Sequence, residues 1–178
     1  QERLGVPDTA ARAYERVLAD ESADAGTTQE ALHAVMRLRT DVADLERYCD
    51  FFTARLDKVT TPVERANLFG LRAIVRQAGL GQLERAVEDH EAALSLDSDF
   101  GPSLLALGEV RAREGQMTAA LTLYRRALES SVRGLEPADR LNAFQGAVQC
   151  FGGLGLDGEL REFALDVAIR FPDSSELQ

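Results

Sequence analysis

The 178 residues carry 20 basic against 30 acidic side chains, and this net charge of -10 argues against a nucleic-acid backbone or an anionic membrane as partner, since both repel the chain at long range. Apolar residues make up 45%, enough for a continuous core, yet no run approaches the ~20 apolar residues of a membrane-spanning helix. The length allows one or two compact domains.

Helical spacing organises the whole chain, and no segment alternates like a strand for long enough to count. The first predicted helix runs through Ala10, Tyr14, Val17 and Leu18, preceded by Gly5. Between Thr27 and Thr60 an i, i+3, i+4 stripe passes through Leu32, Val35, Met36 and then Val42, Leu45, Cys49, Phe52 and Leu56. Thr27-x-x-Glu30 and Thr61-Pro62-Val63-Glu64 read as capping boxes, and Pro102 and Pro137 suit the first turn of a helix. Gly115 follows the charged end Arg111 to Glu114, where a residue able to take positive φ stops a helix.

Gly81, Ala86, His90, Ala93 and Leu94 recur 34 residues later as Gly115, Ala120, Tyr124, Ala127 and Leu128. Antiparallel helices approach closely only where one offers a small residue to the other's bulk, so Gly108, Ala120 and Ala127 are contact points and Tyr124 the filler. The frame extends to Gly5, Ala10, Tyr14, Val17 and Leu18 upstream and to Gly155, Leu160, Ala164, Val167 and Ala168 downstream, with Pro172 closing the last unit. The step from Gly115 to Gly155 is 40 rather than 34, which places 40 - 34 = 6 extra residues in the Arg133 to Pro137 connection.

This frame, with Leu104-x-x-Leu107-Gly108, Gly115 and Ala120-x-x-x-Tyr124-x-x-Ala127, resembles the tetratricopeptide repeat (TPR) family. The resemblance implies an all-α fold, a right-handed α-α superhelix or solenoid of roughly four and a half helix-turn-helix repeats. Over 1–178 these are a half repeat at 1–20, a divergent repeat at 27–60, and repeats at 62–100, 101–134 and 137–173. Opening on half a repeat, the chain reads as a piece of a longer protein, its first helix lacking a partner.

In the family the first helices of successive repeats line a concave groove that holds an extended peptide or a partner helix. Mapped onto this chain, that face carries Leu71, Val75 and Ala78, then Leu105, Glu109, Ala112 and Arg113, then Gln145 and Gln149. Some relatives hold a C-terminal carboxylate there with a clamp of Lys, Asn and Arg. Leu71, Val75, Leu105 and Glu109 stand at those places, so an apolar or amphipathic segment is expected, with Arg72, Arg76 and Arg113 at the rim for acidic residues.

No catalytic constellation is present in the sequence, and neither a cofactor nor a metal is expected. His33 and His90 form no metal-binding pair, and His90 stands where Tyr14 and Tyr124 stand in their own repeats. Asp97-Ser98-Asp99-Phe100-Gly101 begins like a calcium loop but lacks the closing glutamate, and it matches the inter-repeat turn of the family. Gly79-x-Gly81 and Gly152-Gly153-x-Gly155 are helix-ending turns without the Gly-Lys-Ser/Thr of a phosphate loop. Asp20-Glu21 and Asp89/Glu91 read as exposed charge, and Cys49 and Cys150 as buried free thiols.

The expectation is therefore a non-enzymatic scaffold for a protein or peptide ligand, with no nucleic acid and no membrane insertion. The alternatives are self-assembly into a homo-oligomer through the first helix, or an adaptor segment of a larger regulator or enzyme. Lys58 is the only lysine, and Asn and Ile occur twice each, as expected of a GC-rich, bacterial genome. Free thiols favour a cytoplasmic location, and a periplasmic one is compatible because the native N-terminus is not in view.

Overall fold

Helix-forming spacing with glycine or proline punctuation gives the order α1 Val6–Ala19, α2 Ala25–Leu38, α3 Val42–Leu56, α4 Pro62–Ile74, α5 Leu83–Leu96, α6 Gly101–Arg113, α7 Met117–Ala127, α8 Pro137–Leu154 and α9 Asp157–Arg170. A π-helical turn, Val75–Gly79, continues α4. These elements come from a computed structural model that describes residues 6–20, 25–129 and 131–171. Among the described residues the chain is all-α with no strand, and no helix is long and apolar enough to cross a membrane. Gly5 and Pro172 lie outside the described residues.

The turn glycines behave as their spacing implies: Gly81, Gly115 and Gly155 all take positive φ, between 65° and 75°. The caps differ more from expectation. α2 begins at Ala25, so Thr27 lies inside the helix rather than capping it. Thr61 does stand at the N-cap of α4, but its hydroxyl donates to Glu64 Oε2 instead of receiving a backbone N–H. A complete capping box forms instead between Glu136 and Asp139 at the start of α8, using glutamate where serine or threonine is usual.

The chain divides into two compact units, Gln1–Leu96 and Asp97–Gln178. In the first, α1 packs on α2 and α3 packs on α4 and the π turn, while α4 and α5 form a close hairpin. The first helix thus has a partner in α2, and within the divergent segment 27–60 the closer neighbour of α2 is α1 rather than α3. Leu18, Leu32, Val35, Phe52 and Val75 are fully buried in one cluster. Tyr14 is not the filler that its register implies: it is 39% exposed. The buried tyrosine of this unit is Tyr48 of α3, whose hydroxyl donates to Glu15 at 2.7 Å, and burial with this acidic partner pushes its pKa well up.

In the second unit α6 and α7 form a close hairpin and α8 packs on α7. The extra residues between α7 and α8 are built into the fold. Arg133 exchanges backbone hydrogen bonds with the start of α6, Gly101 N to Arg133 O at 2.9 Å and Arg133 N to Asp99 O at 3.0 Å. Val132 and Leu135 are buried beside them, and the Arg133 guanidinium donates to Asp97 at 2.7 Å. Asp97 also caps its own turn by accepting from Asp99 N, so the stretch that begins like a calcium loop is occupied by a turn and an ion pair.

This crossing leaves no room for a side chain at Gly101, where an added Cβ would lie 2.4 Å from Leu135 Cγ and 2.7 Å from the Arg133 carbonyl oxygen. Gly101→Ala is expected to destabilise the second unit by about 1–3 kcal/mol, the usual cost of overpacking against backbone. Urea unfolding measures this, and an unchanged midpoint would mean that the connection is not held against α6.

Candidate functional site

Tyr124 of α7 seats two helices at once. An added Cβ on Gly108 of α6 would lie 2.8 Å from its ring, and one on Gly146 of α8 would lie 2.5 Å from it. Only glycine permits that approach on both sides. Tyr124 is 3% exposed, and burial, together with the Glu109 charge, pushes its pKa up to about 12, so it stays neutral. Gly108 was readable from the repeat frame. Gly146 was not, because its place in the frame carries no glycine in the other units.

α6 and α8 pack on one another beside this ring. Glu109 and Ala112 of α6 are half-buried, and Arg113 of α6 and Gln145 and Gln149 of α8 are exposed. Leu105 is buried. Arg113 lies 3.7 Å from Glu109 one turn away. Burial raises the pKa of the Glu109 carboxyl, Arg113 lowers it, and the charge of Asp139 raises it further. Four polar side chains of two adjacent helices are therefore left on the surface, a set able to donate and accept hydrogen bonds but with no nucleophile–base pair.

The corresponding residues of the first unit are placed differently. Leu71 and Val75 belong to the hydrophobic core, at 7% and 0% exposure, and only Ala78, in the π turn, is exposed. Leu71 and Val75 therefore pack the interior, and a glutamate at either would bury a charge as well as alter any binding surface. Compared with protein-family models, with curated proteins and with solved structures, the chain gives no match.

Arg72 and Arg76 do not stand free at a rim. Both hold Asp89 of α5: Arg72 with two nearly parallel bonds, Nε to Oδ2 at 3.0 Å and Nη2 to Oδ1 at 2.7 Å, and Arg76 with Nη1 to Oδ2 at 2.7 Å. Arg72 also donates to Thr53 at 2.8 Å and covers the Phe69 ring. Asp89, expected as exposed charge, is buried. Its signal was present in the sequence: it sits on the small-residue stripe between Ala86 and Ala93, where an isolated charge requires a partner. Cys49 is half-buried here; burial pushes its thiol up, against the pull of Arg76 and Arg72. Cys150 is buried and pushed up likewise, and neither forms a disulfide, so both are free thiols and neither is an activated nucleophile.

His90 follows Asp89 and is 2% exposed. Burial lowers its pKa to about 4, against a smaller upward pull from Asp89. Tyr124 faces Gly108, whereas the place 34 residues before Gly108 is Ile74, so the frame offers His90 no matching glycine. Between pH 6.5 and about 4 the unfolded chain takes up a proton that the folded chain refuses. Stability from this group is therefore complete above pH ~6.5 and declines as the pH falls to about 4, by about 3 kcal/mol in all. Unfolding midpoints across that range check this, and His90→Gln should flatten the decline; an identical decline in the variant would exclude His90 as its source.

Among the described residues no group of three or more His, Cys, Asp or Glu side chains could hold a metal ion.

Proposed function

We propose that this chain is a protein-interaction scaffold of the tetratricopeptide kind, and that an extended peptide docks across α6 and α8. The observation that carries the reading is the Tyr124 seat. One ring closes against two glycines, fixes neighbouring helices side by side, and leaves Glu109, Arg113, Gln145 and Gln149 outside the core. Support comes also from the helix boundaries of the second unit, where α6 and α7 fall within 101–134 and α8 and α9 within 137–173. Glutamine amides donate and accept at once, as an extended peptide backbone requires, and the pair Glu109–Arg113 offers a charge of each sign. The face is polar, so the ligand is a polar extended segment.

The test is a peptide selected from a random displayed library against the whole chain, titrated calorimetrically into the chain and into Glu109→Lys/Gln145→Ala/Gln149→Ala. All three positions are half-buried or exposed, so the variant folds, which circular dichroism verifies. The expected result is an affinity loss of about tenfold or more, as for central interface residues. Equal affinity would remove the face from the proposal.

A second reading, a structural repeat that stacks on another copy, is favoured by Leu165 and Ile169 of α9, exposed at 65% and 70% one turn apart. Sedimentation over a wide concentration range separates the two, since a monomer throughout excludes self-assembly by these residues.

A further inference from the structure

α7 and α9 bound a cleft of about 310 Å3 in the second unit, on helices other than those of the peptide face. Its floor is apolar: Leu128, Phe163 and Val167, all buried. Around it stand the exposed carboxylates Glu129, Glu159 and Glu162. Two cations also line it, but Arg170 is held 2.6 Å from Asp166 on its own helix. That pair cancels, and three glutamates are then set against Arg125 alone, an excess of two negative charges beside the apolar floor.

We infer that this cleft seats a lysine or arginine side chain from a basic segment of a partner protein. Such a side chain has two chemistries in series, an aliphatic stem that covers apolar surface and a cationic head that needs carboxylates, and the cleft offers both in that order. A bare metal ion fits worse, because among the described residues no cluster of carboxylates is close enough to coordinate one. The -10 net charge of the chain draws a basic segment in at long range, and the floor retains it at contact. The site does not depend on the α6–α8 face, so each stands or falls alone.

The probe is a short acetylated and amidated peptide of alternating alanine and arginine, with a second in which citrulline replaces arginine and removes the charge while keeping the shape. Amide chemical shifts are followed in the whole chain. The arginine peptide should move resonances of residues 125–129 and 159–170, and the citrulline peptide should not. Glu159→Gln/Glu162→Gln should weaken binding about tenfold, whereas Glu84→Gln/Glu88→Gln, which removes the same charge from α5, should leave it unchanged. Equal weakening in both variants would reduce the effect to net charge and overturn the site. So would binding of the citrulline peptide, an absence of shifts, or shifts confined to residues 105–113 and 141–149, which would instead speak for the α6–α8 face.

Discussion

Tyr124→Ala is expected to destabilise the second unit by about 3–5 kcal/mol, the range for deleting a buried aromatic ring from a core that relaxes only in part. The reason is geometric. The ring fills the space that Gly108 and Gly146 leave open on either side, so without it two helices face a void that neither can fill. The same geometry makes a sharper prediction about sign. Gly146→Ala alone places a Cβ 2.5 Å from the ring and should cost about 1–3 kcal/mol through overpacking, outweighing the gain of about 1 kcal/mol that alanine brings to a helix interior. In the Tyr124→Ala background the clash is gone and only the gain remains, so Gly146→Ala should become stabilising. Chemical denaturation of the four chains measures the cycle, and additive effects would refute a shared contact.

The second large effect is expected at Asp89. Its carboxylate is buried and receives three hydrogen bonds from two guanidiniums that are themselves mostly covered. Asp89→Asn keeps the shape and removes the charge, leaving Arg72 and Arg76 without a counter-ion. The first unit should lose about 3–5 kcal/mol, the usual result of breaking a buried ion pair from one side. Replacing all three residues together, as Arg72→Met/Arg76→Met/Asp89→Leu, removes the desolvation cost along with the attraction and should return stability to within about 1 kcal/mol of the starting protein. Thermal melts decide it: an Asp89→Asn chain as stable as the parent would mean that the ions are effectively in water.

The helical course of the chain was legible because its signals are local. Apolar residues at helical spacing, Gly81, Gly115 and Gly155 at turns, and Pro62, Pro102 and Pro137 in first turns each act within one helical turn of themselves. Tyr124 against Gly108 was legible because the repeat frame supplies the long-range pairing that a single helix lacks. Where the frame weakens, inference from register fails: Tyr14 has the spacing of Tyr124 but is exposed, and Leu71 and Val75 hold the places of surface residues but fill a core. Burial depends on what stands opposite, and α2 and α3 carry no glycine turn to keep that neighbour in register. The Phe100–Arg133 bridge was likewise hidden, since it joins segments distant in the sequence.

The reading of the chain as a scaffold is tested most directly by hydrogen–deuterium exchange with and without the selected peptide. Protection concentrated in residues 105–113 of α6 and 141–149 of α8 is the expected result, with Tyr124→Ala abolishing it by loosening the seat on which both helices rest. Protection that falls outside those helices, or a bound peptide that protects them equally in the Tyr124→Ala chain, would contradict it.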